Sequence, residues 1–139
     1  MMKVAEVVVK RVLLATLLAA GVLGAPARAH HSFVAIYDAA KPVSVAGTVS
    51  LVEWTNPHAR VYVDAKNDNG GVDTWEFELA SPNGLMRIGW TRKSLNPGEE
   101  VTVEGILARD GSKRANARSI TRADGTKMFM GDPVQGGLN

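Results

Sequence analysis

The chain has 139 residues with 16 Lys+Arg, 14 Asp+Glu, three His and no Cys. That length allows one domain with an adequate core and leaves no room for a second. The missing cysteine excludes disulfides, thiol catalysis, cysteine-ligated metals and a lipid anchor of the lipoprotein type.

Residues 1–29 read as a secretory signal peptide. Lys3, Lys10 and Arg11 make a positive beginning, interrupted by Glu6, and VLLATLLAAGVLGA at 12–25 is too short to span a bilayer comfortably. Ala27-Arg28-Ala29 then offers a small-x-small cleavage site. The mature protein is expected to begin at His30 and to be periplasmic or secreted, with no membrane span. Removing the signal takes four of the 16 basic and one of the 14 acidic residues, leaving 12 and 13, net −1. The sequence pI of about 9.1 thus owes much to the signal. A slightly acidic exported domain is not expected to bind nucleic acid.

After an N-terminal arm at 30–41, alternation with period two predicts strands over 42–130. PVSVAGTVSLVEW places Val43, Val45, Gly47, Val49 and Leu51 on one face of a long first strand. TNPHA breaks it, and RVYVDAK resumes with Val61, Val63 and Ala65 in phase. KNDNGG is a hairpin turn into VDTWEFELA, with Trp75, Phe77 and Leu79 inward and Glu76 and Glu78 outward. SPNGLMRIGW predicts a short helix, with Ser81 as N-cap, Pro82 at its first position and Gly89 as its stop. VTVEGIL is a fourth strand, the basic loop ARDGSKR follows, and ANARSIT is a fifth. A turn at Asp124-Gly125 leads to TKMFM as a candidate sixth, and residues 131–139 form a tail without pattern. Three strands, a helix and two or three strands make an all-β chain with one short helix. The expected architecture is a small OB-like Greek-key barrel of five to six strands. Barrels of that kind bind ligands on strands two and three and with the loops joining strands one to two and four to five. TNPHA and ARDGSKR are those loops here.

The three histidines are His30, His31 and His58. A mature chain starting at His30 has a free α-amine whose reference pKa is near ~8, so it yields its proton readily to a metal. Amine and imidazole of one residue then chelate together, as in the histidine brace of other exported copper proteins, and His31 or His58 adds a further nitrogen. Nitrogen ligands suit Cu(II), with zinc second. Met128 and Met130 form an M-x-M pair on one strand face. Their thioethers suit Cu(I), although core packing is the simpler account of them. Trp54 and Asn56 in the first loop, with Arg109 and Arg114 around the second, are the candidates for binding something other than metal. That something would be a small molecule, an envelope component or a protein. No nucleophile–base–acid constellation emerges, and a binding role is favoured over an enzyme. A small copper oxidoreductase is the third alternative.

HHSF at the mature start, YD soon after, W-x-NPHA, SP-x-x-L-x-R-x-GW and L-x-PG before a V-x-V strand together resemble a family of small exported bacterial proteins classed as a domain of unknown function. The resemblance spans essentially residues 30–130. It implies a signal peptide and a small β-rich domain, and it supplies no activity. By position, the recurrent polar features of that family fall on His30, His31, Asn56 and His58.

Overall fold

The computed structural model describes residues 33–130. His30, His31, the expected signal and the tail 131–139 lie outside the described residues. Within them the chain is mostly β-sheet. Residues 33–36 are helical and lead into β1, Tyr37–Glu53. Then come β2, Arg60–Lys66; β3, Val72–Glu78; α1, Pro82–Arg87; β4, Glu100–Ala108; β5, Arg114–Arg122; and β6, Lys127–Phe129. No helix among the described residues is long and apolar enough to cross a membrane.

The strands are ordered β3-β2-β1-β4-β5-β6 and their neighbours in that order run antiparallel. One further pairing is parallel: Glu76, Phe77 and Glu78 of β3 lie opposite Arg114, Ala115 and Asn116 of β5. The pairings of the first five strands therefore run in a cycle, β1–β2–β3–β5–β4–β1, and β6 extends the sheet from β5.

Alternation turns one face of each strand to a common core. Val61, Val63, Phe77, Val103, Ala115 and Ile120 have no exposed surface, and Val49 has 1%. The short helix closes over this core. Ser81 caps it, its Oγ accepting from the Gly84 amide at 3.1 Å, and Leu85 is fully buried. Trp90 follows, its indole Nε1 donating to the Phe129 carbonyl at 3.1 Å and so tying the region after α1 to β6.

Two elements differ from the sequence expectation. β1 begins at Tyr37, inside the segment expected as an arm, because Tyr37 pairs with Ala108. The exposed run at 39–42 and the break in register between Tyr37 and Pro42 conceal this in the pattern. Leu51 does not join the inward face. A register shift between Val49 and Leu51 inserts one residue, and with a period of two this reverses the alternation. Leu51 is 47% exposed, and Val52 packs against the core in its place.

Apart from this core, β4 carries a second apolar cluster. Tyr37, Ile106 and Ala108 are buried together with Phe33 packed against them. The Phe33 and Tyr37 rings are 5.3 Å apart. Arg109 pins the same segment, its Nε donating to the Val34 carbonyl at 2.7 Å and its amide to the Ile36 carbonyl at 2.8 Å.

Candidate functional site

His58 sits in the loop joining β1 to β2, just after the cis Asn56–Pro57 peptide. The backbone beside it is held. The Ala59 amide donates to the Ala80 carbonyl at 3.1 Å, and the Leu79 amide donates to the Ala59 carbonyl at 2.9 Å. These bonds carry the β2–β3 ladder beyond Arg60 and bring His58 alongside Glu78. Imidazole Nδ1 lies 3.4 Å from Glu78 Oε1, with His58 46% exposed and Glu78 only 18%. The histidine is reachable from solvent, while the carboxylate behind it is largely enclosed.

Glu78 in turn stands beside the hydroxyl of Tyr37. Tyr37 is 2% exposed, and its hydroxyl has no hydrogen-bond partner. Burial, then the charge of the Glu78 carboxylate, push this phenol well above its ordinary range, with Arg114 opposing. Across the parallel pair, Glu78 is opposite Asn116, which is 4% exposed and whose Oδ1 is also unpartnered. Buried polar atoms without partners are uncommon in native proteins. Here one such side chain interacts with the Glu78 carboxylate and the other lies opposite Glu78 in the strand register.

The other residues singled out in the sequence are dispersed. Met130 is 1% exposed, and Met128 packs half-buried against the same core, so the M-x-M pair shares a face and that face is the interior. Trp54 also packs on the core, while Asn56 is exposed. Arg109 is committed to the N-terminal segment and lies 3.5 Å from Asp38. Arg114 pairs with Asp110 at 3.3 Å and lines an open cleft of about 430 Å³ with Tyr62, Thr74 and Glu76. This cleft occupies the outer face of β2 and β3 under the β4–β5 loop. Among the described residues no three His, Asp or Glu side chains gather to hold a metal ion. His58 and Glu78 supply two such groups.

Glu78, Tyr37 and Asn116 escape a reading of the sequence alone. Glu78 occupies an outward strand position, which ordinarily means solvent. A signal for its partnership with His58 exists in the hairpin. Counting back from the Lys66–Val72 pair brings Arg60 opposite Glu78, two residues from His58. Nothing comparable announces Tyr37 and Asn116, whose burial depends on the β1–β4 and β3–β5 pairings.

No curated protein and no solved structure matches the chain. A family model does match, over residues 18–117, which is well over half the sequence, and the chain belongs to that family, described as a family of unknown function, DUF6152.

Proposed function

We propose that this chain is a small exported binding protein, an OB-like barrel that holds a copper ion through His58 and the N-terminal histidines His30 and His31. The cycle of strand pairings with α1 between β3 and β4 supports the OB-like reading. One observation carries the metal reading. Phe33 is seated on Tyr37, whose phenol stands beside Glu78, which contacts His58. His30 is three residues from Phe33, a tether of at most about 10 Å at ~3.3–3.6 Å per residue. This run of contacts leads from the first described residue to the loop histidine, and the imidazoles and free α-amine expected of an N-terminus at His30 would make a nitrogen-rich set with it. Met128 and Met130, packed in the core, take no part in this reading.

A second reading follows from the cleft beside Arg114, which suits a metal-independent ligand or envelope partner on the β2–β3 face. One experiment separates the two. Protein exported to a periplasm and purified without a tag is weighed by native mass spectrometry with one equivalent of Cu(II). A chain that starts at His30 and keeps one copper against a mild competitor, and loses it in both His30→Ala and His58→Ala, supports the metal site. Unchanged copper retention in either variant removes that histidine from the site, and a metal-free parent leaves the cleft as the working surface.

A further inference from the structure

We infer that Met86 to Lys93, the end of α1 and the turn after it, is a docking surface for an anionic lipid membrane. The inference does not depend on the metal reading. Residues 80–98 contain Arg87, Arg92 and Lys93 and no acidic residue. The other nine of the twelve basic residues in 30–139 lie outside this stretch, and so do all thirteen acidic ones. Charge is therefore segregated, with the stretch positive and the rest of 30–139 net negative. Elsewhere cations are spent on carboxylates: Arg60 lies 3.1 Å from Glu76, Lys113 2.9 Å from Asp73, and Arg122 3.2 Å from Glu99. Arg87, Arg92 and Lys93 are all exposed, and their side chains make no ion pair or hydrogen bond among the described residues. Interleaved with them are two apolar side chains in water, Met86 at 52% exposure and Ile88 at 50%.

The fold holds this surface ready. Leu85, Trp90 and Leu95 are buried and fix the segment to the core. The Trp90 amide donates to the Leu85 carbonyl at 3.0 Å, and the Gly89 amide donates to the Met86 carbonyl at 3.1 Å. Beyond them, Ser94 Oγ accepts from the Thr91 amide at 2.8 Å, and Asn96 Nδ2 donates to the Lys93 carbonyl at 3.3 Å. Met86 and Ile88 are thus presented beside the three cations without further ordering of the backbone. Interfacial binding combines burial of apolar side chains at the acyl boundary with attraction of cations to anionic headgroups, and this segment supplies both. Each basic residue near such a leaflet is worth roughly a fivefold gain in binding. An acidic protein would meet the same charges, but a groove to receive it is not built here. None of the five side chains lines the cleft of about 430 Å³ beside Arg114 or the open cleft of about 620 Å³ along β1, β2, β4 and β5. A lipid surface needs no groove.

The test is co-sedimentation of the untagged exported protein with vesicles of phosphatidylcholine alone or of equal parts phosphatidylcholine and phosphatidylglycerol, at low and high salt. Three variants share its N-terminus: R87Q/R92Q/K93Q, M86S/I88S and, as a control, L51S/V72S, which removes apolar side chains exposed elsewhere. All the substituted side chains are exposed, and circular dichroism verifies that each variant is folded. The parent is expected to bind the phosphatidylglycerol vesicles, to release them at high salt and to ignore the neutral ones. The triple variant should bind at least about tenfold more weakly, M86S/I88S several-fold more weakly, and the control like the parent. A parent that binds neither vesicle, or both equally, overturns the inference, and so does a triple variant that binds as the parent does. Parent-like binding by M86S/I88S overturns the apolar half of the contact and leaves a purely electrostatic one. Patch-dependent binding to poly-glutamate without binding to vesicles overturns the membrane and assigns the surface to an acidic protein.

Discussion

Tyr37 shows how one residue couples packing to pH. Its ring fills the outer cluster on β4, and its hydroxyl is enclosed without a partner beside Glu78. In the unfolded chain a phenol ionises near its ordinary value of 10.0, whereas burial keeps the folded Tyr37 protonated to higher pH. A raised folded pKa gives stability that is complete below the unfolded value and is lost as pH rises beyond it. Metal-free protein is therefore expected to hold its melting temperature up to about pH 9.5 and to lose it steeply above pH ~10. Tyr37→Phe should remove much of that alkaline loss. At pH 7 it should leave stability unchanged or raised, because it removes a buried group with no hydrogen bond. Thermal melts between pH 7 and 11 measure both, and a variant much weaker than the parent at pH 7 would show that the hydroxyl is bonded after all. At this scale the sequence is partly legible. His58 stands out as one of three histidines, in a loop beside Pro57, but Glu78 looks like any outward carboxylate of an alternating strand. Its partnership with Tyr37 depends on contacts between residues 41 positions apart.

At the scale of elements, alternation and turn chemistry reveal the strands and the helix where each segment obeys one rule along its length. VTVEGIL and RVYVDAK do so, and Ser81-Pro82 marks the start of α1 as capping requires. β1 does not, because the extra residue near Ser50 reverses the phase without leaving a Gly or Pro to betray it. This gives a paired prediction. Leu51→Ser, on the exposed side of the shift, should change unfolding free energy by less than about 0.5 kcal/mol. Val49→Ser, at 1% exposure, should cost about 2 kcal/mol or more through lost burial and an unpaired hydroxyl. Urea denaturation of the two variants decides it, and equal losses would place both side chains inside. Gly47 explains why the sheet is tight at this strand. A Cβ there would collide with the Asp64 carbonyl of β2, so β1 and β2 approach more closely than a side chain permits.

Over the whole molecule, exposed carboxylates tie charge to fold. Lys127 and Ser119 hold the Glu104 carboxyl below its ordinary range, Lys113 and Asn67 do so for Asp73, and Ser112 does so for Asp110. Depressed folded values contribute stability above the unfolded pKa that disappears as pH falls through the folded one. The melting temperature should be level from pH ~7 to about pH 5 and decline below pH ~4, a fall that scanning calorimetry would follow. A steady decline beginning well above pH ~5 would count against these carboxylates as the source of the acid response. The parallel contact of β3 with β5 also has a bearing on time. Glu76 meets Arg114 across 38 residues of chain, and Tyr37 meets Ala108 across 71. Contacts so distant in sequence repay the entropy of loop closure only after the chain between them is nearly complete. The enclosure around Glu78 is therefore a late event in folding, and a polypeptide shortened before β5 would leave that carboxylate open on its β5 side however well its first hairpin formed.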